Sequence, residues 1–166
     1  MTLPEKNSRA HAVCLALGAN LGDRRANLER GLSLLREQVT LDAVSPWYET
    51  APVGGAPGDG NYLNGAARGF TALAPGELVA FCLEVEKRCG RVRPAPRWSA
   101  RTLDIDVLFY DAAVINRPPE VIIPHPRLSE RAFVLQPLND IAPSWRHPSL
   151  GLTVREMWEK IRAAAE

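Results

Sequence analysis

The chain has 166 residues, 46% of them hydrophobic and 23% charged, which suits one domain with a substantial buried core. Its 20 basic and 19 acidic residues leave a formal charge of +1, so no global field is directed at nucleic acid or an anionic membrane. Cys14, Cys82 and Cys89 are scattered, with neither CxxC nor Cys/His ligand spacing, the pattern of buried or incidental thiols in a reducing compartment.

Residues 1–10 are polar and lack the apolar run of a secretory signal, so they are expected to form a flexible N-terminus before a single domain over 11–166. "AVCLALGAN" (12–20) reads as a buried strand running into a turn at Gly18 and Asn20. Leu28, Leu32, Leu35 and Val39 then recur at helical spacing, which predicts an amphipathic helix over 24–38 with Asp23 as its N-cap. "LDAVSPWYET" (41–50) reads as one strand, with Pro46 arguing for an edge or a bulge. The glycine- and proline-rich "APVGGAPGDGN" (51–61) cannot continue a sheet and is long for a hairpin loop.

"YLNGAARGFTA" (62–72) resumes a strand, and Pro75 opens a second helix whose stripe is Leu78, Phe81, Cys82 and Val85, ended by Gly90. A basic loop, "RVRPAPRWSAR" (91–101), precedes the most regular strand, "TLDIDVLFYD" (102–111), and "AAVIN" is expected to pair back on it across a turn at Asp111. After "RPPEVIIPHPR" (117–127), residues 129–141 read as largely helical, with Ser129 available as a cap. In the last helix Thr153 and Glu156 match a capping box, and Leu152 and Met157 stand at the positions of a hydrophobic staple. The order to residue 110 is β-α-β-β-α-β, so the fold class expected is α+β: a ferredoxin-like βαββαβ core with an antiparallel-rich sheet and additional C-terminal helices. No run approaches the ~18 apolar residues of a membrane helix, so a cytoplasmic protein is expected.

The chemistry concentrates on the strand that begins at Thr102. Side chains alternate along a strand, so Asp104 and Asp106 share one face about 7 Å apart, while Leu103, Ile105 and Val107 point to a core. One or two carboxylates completed by water and substrate phosphates suit Mg²⁺, although a solvated polar strand face has the same spacing. Arg91, Arg93, Arg97 and Arg101 stand just ahead of the pair. Guanidinium groups bind phosphate oxygens bidentately, so the two kinds of charge together fit a metal–polyphosphate, or else simple mutual salt bridging. "GANLGDRR" lacks the spacing of a Walker A loop, so a nucleotide enzyme built on this chain would hold phosphates by arginines and metal. A lone histidine is more often structural than catalytic, and the place of His125 between two prolines that fix its backbone shifts that balance mildly toward a positioned role. Tyr62 and Asn64 offer an aromatic face beside an amide, suited to a planar heterocycle and equally to a core tyrosine and a turn asparagine.

Read in order, "LGANLGDR", "SPWYETAPVGG", "YLNGA", "GRVR", "RWSARTLDIDVL" and "PHPRLSERAFVLQPL" resemble the 6-hydroxymethyl-7,8-dihydropterin pyrophosphokinases over about Ala12 to Pro143. That resemblance implies transfer of pyrophosphate from ATP to the pterin alcohol in folate biosynthesis, with AMP as the other product. It implies that Asp104 and Asp106 bind two Mg²⁺ ions bridging the ATP phosphates. Arg91, Arg93 and Arg101 would clamp the triphosphate from a mobile loop that carries Trp98, and Val107 would line the adenine site. His125 and Arg131 would contact the nucleotide. The pterin would stack between Tyr62 and Phe133, with Asn64 and the segment Thr50, Pro52, Val53 and Gly54 reading its edge, and Glu86 would be a carboxylate near the substrates. The expected partners are these two small molecules, with no nucleic acid, no membrane and a monomeric protein.

Two positions depart from the family pattern: Ser99-Ala100 replace the usual glycine, often followed by proline, and Pro94 stands where some members carry lysine. Neither is a metal ligand. A phosphotransferase with another acceptor would differ in releasing ADP. A ferredoxin-like RNA-binding module would want aromatic residues where "TLDIDVLF" has acids.

Overall fold

β1 (His11–Ala19) is apolar on both sides and lies inside the sheet, paired antiparallel with β4 (Tyr62–Thr71) and with β5 (Asp104–Tyr110). The computed structural model describes residues 10–51, 60–91 and 102–165. The far side of β4 carries β2 (Val39–Val44) and then β3 (Tyr48–Thr50), giving the strand order β2-β4-β1-β5 with β3 also on β4. With α1 (Arg24–Leu35) after β1 and α2 (Pro75–Arg88) after β4, this is the ferredoxin-like βαββαβ arrangement. A hairpin of β6 (Ile115–Arg117) and β7 (Val121–Ile123) follows, then α3 (Ala132–Ile141) and α4 (Val154–Ala164). Among the described residues no helix is long and apolar enough to cross a membrane.

Local chemistry explains the element ends. Asp23 caps α1 by accepting the N–H of Ala26 at 3.1 Å. Pro75 stands at the first turn of α2, and Glu77 accepts the N–H of Ala74 at 2.9 Å. Gly90 follows that helix with φ +93°, a left-handed conformation suited to glycine. Thr153 and Glu156 form the reciprocal capping box of α4, and Met157 is buried beside Leu152 in one core.

Four expectations need correction. The first helix stops at Leu35 rather than near Gln38, and Val39 is the buried first residue of β2. The run 41–50 is two strands, because Pro46 has no N–H to give the ladder. Asp111 does turn the chain, with φ +48°, but residues 115–117 pair with 121–123 and not with β5. Ser129 lies in a short 3-10 turn (Leu128–Glu130), and α3 begins after Arg131, without a side-chain cap.

The sheet is covered on both faces. Val13, Leu15, Leu17, Leu103, Ile105 and Val107 pack toward α1 and α2, against Leu28, Leu32, Leu78, Cys82 and Val85. Cys14, Ala66, Leu108 and Phe109 pack on the opposite face with Val134, Leu135 and Leu138 of α3 and Val154 and Met157 of α4. A bulge makes this division possible: Leu15 pairs with Val107 and Cys14 with Phe109, so Leu108 is an extra residue in β5. Leu108 and Phe109 therefore face the same side, which is also the side of Asp104 and Asp106.

Polar contacts hold α3 in place. Arg68 donates to both oxygens of Asp42 and, at 2.6 Å, to the carbonyl of Ile141, while the Tyr48 hydroxyl donates to Asp140 at 2.5 Å.

Candidate active site

The strand register brings the polar residues of one sheet face into a row. Asn64 of β4 lies opposite Tyr48 of β3 and opposite Gly18 of β1, and Gly18 lies opposite Asp104 of β5. One step along, Ala66, Ala16 and Asp106 repeat the pattern. Small residues thus floor the space between an amide on one side and two carboxylates on the other. The floor is close-fitting: a Cβ added to Gly18 would stand 2.6 Å from Asn64 Oδ1 and 3.5 Å from the Tyr62 ring. Thr50 Oγ1 accepts from Asn64 Nδ2 at 2.5 Å, and the oxygen end of the amide occupies the space that a side chain at residue 18 would fill.

β5 is an edge strand, and a cleft of about 270 Å³ wraps around it. Asp104, Asp106 and His125 line it from one face, and Val79, Leu83, Val107 and Ile122 supply an apolar wall. Both aspartates are part-exposed, whereas Ile105 between them is buried.

A buried ion pair supports this strand. Arg91 Nη1 donates to Glu86 Oε1 at 2.9 Å and to Asp104 Oδ1 at 2.7 Å, and the Glu86 side chain is only 2% exposed. The second Glu86 oxygen accepts the N–H of Ile105 at 2.7 Å. Mutual salt bridging, which the composition of this stretch left open, is therefore present at Arg91. Nη1 makes both of these bonds, and Nε and Nη2 carry the other three of the guanidinium's five donors.

His125 is fixed through its backbone, whose N–H donates to the Leu108 carbonyl at 3.2 Å. Its Nδ1 accepts the N–H of Arg127 at 3.3 Å, so the ring proton sits on Nε2, 4.0 Å from Asp106 Oδ2. Burial, followed by the neighbouring Arg131 charge, pulls this imidazole down to about 4, against a smaller opposing effect of Asp104. His125 is neutral at pH 7. Cys82 also lines the cleft, but burial and the Glu86 charge push its thiol well up, so it is an inert wall.

Of the residues singled out from the sequence, Asp104, Asp106, Val107 and His125 meet around the cleft, with Arg91 bonded to Asp104. Thr50, Tyr62 and Asn64 meet at the other end of the row. Phe133 opens α3, packed against the second core, with the Arg131 guanidinium 5.6 Å from its ring centre. Pro52, Val53, Gly54, Arg93, Trp98 and Arg101 lie outside the described residues, as do the departures at Pro94, Ser99 and Ala100. Sequence reading gave Gly18 no role beyond ending a strand and gave Tyr48 none. Only the register, with both residues opposite Asn64, reveals them.

The chain resembles known proteins in sequence and in fold. A family model described as 7,8-dihydro-6-hydroxymethylpterin-pyrophosphokinase (HPPK) matches residues 14–143. The 2-amino-4-hydroxy-6-hydroxymethyldihydropteridine pyrophosphokinase of Synechocystis is 33% identical over 159 residues, covering 95% of this chain and 80% of its own. The Bacillus subtilis protein of the same name is 41% identical over 129 residues, 76% of this chain and 75% of its own. The mitochondrial folate synthesis bifunctional protein of Arabidopsis thaliana is 41% identical over 144 residues, and the match spans only 26% of that longer chain. A crystal structure of an HPPK-DHPS chain in complex with substrates superposes with a TM-score of 0.73 at 14% identity, over 95% of this chain and 44% of that one, a likeness of fold.

Proposed function

The chain belongs to the 7,8-dihydro-6-hydroxymethylpterin pyrophosphokinase family, and we propose that the sheet face running from Asn64 to Asp106 carries out its reaction. That reaction moves a pyrophosphoryl group from ATP to the hydroxymethyl oxygen of the pterin in folate biosynthesis, leaving AMP. The observation that supports this location is the shared row of Asn64, Gly18 and Asp104. Two strand spacings, about 10 Å, separate the amide from the first carboxylate, room for an acceptor on one side and phosphates on the other.

The acidic pair fits Mg²⁺ rather than a closed protein cage. Asp104 and Asp106 offer hard oxygen donors on one face, and among the described residues no group of three or more His, Cys, Asp or Glu could hold a metal. Such a site needs substrate phosphates to complete it, which suits Mg²⁺ arriving with the nucleotide, and we assign it two ions. When bound, Mg²⁺ neutralises phosphate charge and withdraws electrons from the phosphorus under attack.

The protein's own groups do the positioning. Val79, Leu83, Val107 and Ile122 receive the adenine, and His125 and Arg131 hold the nucleotide beside it. Arg91 keeps Glu86 and turns its remaining donors to the triphosphate, joined by Arg93 and Arg101, with Trp98 in the same loop. Tyr62 and Phe133 enclose the pterin ring, Asn64 reads its edge, and the backbone of Thr50, Pro52, Val53 and Gly54 completes the contact. The hydroxymethyl oxygen then attacks the β-phosphorus in line, a step that depends on alignment and charge stabilisation more than on proton removal. We read residues 11–166 as one such domain in a cytoplasmic monomer, with these two small molecules as its partners.

Incubation with Mg·ATP and 6-hydroxymethyl-7,8-dihydropterin, followed by separation of products, tests the assignment. AMP and the pterin diphosphate in equal amounts are expected. ADP with a monophosphorylated pterin, or no pterin product, would reject it.

A further inference from the structure

Gly22-Asp23-Arg24 takes no part in the chemistry described above. Gly22 turns the chain with φ +70° and Asp23 caps α1, so each has a local reason to be there. Arg24 has the opposite of one. It places a cation at the positive end of the α1 dipole, in a first turn that contains no acid. A residue that works against its own helix invites a search for what it does elsewhere.

Arg24 reaches out of the helix to the two chain segments that flank residues 51–60. Its Nη1 donates to Glu49 Oε1 at 3.0 Å and to the carbonyl of Asn61 at 2.8 Å. Glu49 immediately precedes Thr50, and Asn61 immediately precedes Tyr62. Thr50 and Tyr62 are cross-strand partners, the last pair of the β3–β4 ladder, and Thr50 Oγ1 accepts from Asn64. From the same β1–α1 turn, Asn20 Nδ2 reaches the Gly60 carbonyl at 3.5 Å. The β1–α1 junction therefore contacts both strands at the end of the β3–β4 ladder.

We infer that Arg24 is a positioning residue for the pterin: by spanning Glu49 and Asn61 it fixes the Thr50–Tyr62 pair, and with it the direction of the Tyr62 ring and the Asn64 amide. The inference rests on the reading of this face as the pterin site. Stability alone is a weak reason for the contact, since the ion pair is open to solvent, with Glu49 56% exposed, and such pairs contribute little to folding. Its value lies in geometry, because a displacement of about 1 Å in a substrate-holding group can cost up to 10²-fold in rate.

The test uses the full chain and the variants R24A, R24K and E49A, with Kd for the pterin and for an unhydrolysable Mg·ATP analogue, KM for both substrates, and thermal stability. R24A is expected to raise pterin Kd and KM about tenfold, with nucleotide Kd within about twofold of wild type and little change in melting temperature. R24K should recover part of the loss, since an ammonium can still serve one acceptor, and E49A should lose less than R24A because the Asn61 bond remains. Unchanged pterin affinity in R24A overturns the inference, as does equal loss of both ligands together with a melting temperature lowered by several degrees. Wild-type protein that makes no pterin diphosphate overturns the functional reading and this inference with it. An active wild type with an unaffected R24A overturns this inference alone.

Discussion

Glu86 accepts the backbone N–H of Ile105 at 2.7 Å, and that one bond ties the second helix to the peptide between the two aspartates. The other Glu86 oxygen holds Arg91, so a single buried carboxylate orients both the acidic strand and a cation beside it. Removing one partner of a buried pair strands the other and costs about 3–5 kcal/mol, so Glu86→Ala is expected to destabilise the fold by about that much. Glu86→Gln keeps an acceptor for Ile105 and should lose less. Urea denaturation of the two variants measures the difference, and equal losses would show that the bond to Ile105 contributes nothing separable.

Asp104 and Asp106 differ in what else they hold. Asp104 also accepts from Arg91 at 2.7 Å, whereas Asp106 faces His125 at 4.0 Å. Alanine at either position should lower AMP formation by about 10²-fold or more, the scale on which loss of one transition-state charge contact is felt. The nucleotide should bind the Asp106→Ala protein with a weaker dependence on added Mg²⁺. Full turnover by either variant would remove these residues from the metal site.

Gly18→Ala tests the floor between the substrates. The new methyl would meet Asn64 Oδ1 at 2.6 Å, and Gly18 is not among the positive-φ glycines, so the backbone tolerates alanine. The amide must move. Pterin KM is expected to rise about tenfold while nucleotide KM stays near wild type. Unaltered pterin kinetics would mean that Asn64 does not read the substrate.

His147 makes stability depend on pH. Its Nδ1 accepts the N–H groups of Ser149 and Leu150, both at 3.1 Å, and its ring meets Phe109 edge-on. Burial holds the imidazole below the ordinary histidine range, so it is neutral in the fold. The unfolded chain takes up a proton at about pH 6.5, and the fold resists doing so. The stabilisation is therefore complete above about pH 6.5 and is lost as pH falls from there through the folded-state pKa. His125, held at about 4, contributes with the same sign. Melting temperature should fall between pH 7.5 and 5. His147→Asn, whose Oδ1 can accept the same N–H groups, should fall less over that window. Parallel curves would show that His147 is not the group responsible.

Much of this was legible in the sequence because local chemistry and tertiary structure agree. Asp23, Pro75, Gly90 and the Thr153–Glu156 pair each mark a helix end where one occurs. The alternation of Leu103, Ile105 and Val107 correctly puts the two aspartates on a common face. What could not be read depends on pairing across the sheet. The meeting of Gly18 with Asn64 is a matter of register, which no periodicity within either strand encodes. The partner of residues 115–117 is hidden for a related reason: a turn at Asp111 suggests a return onto β5, but these residues pair with 121–123 and the Leu108 carbonyl of β5 accepts the His125 N–H. Glu86 lies on the buried stripe of a helix, and its partners are five and nineteen residues away on other elements.

The extra residue at Leu108 gives β5 a change of phase partway along its length. Before it the aspartates look away from α1 and α2; after it Phe109 still does, although it stands three positions beyond Asp106 and an ordinary pleat would have turned it over. Deleting that residue would leave Val107 followed by Phe109, opposite Leu15 and Cys14 as they are now, so the carboxylates and Phe109 would keep their faces and the strand would lose only the Leu108 side chain and the bulge. A substitution at the same place leaves the phase intact. Homologous chains can therefore differ at residue 108 in identity or by its absence, while other insertions and deletions are to be looked for in the loops.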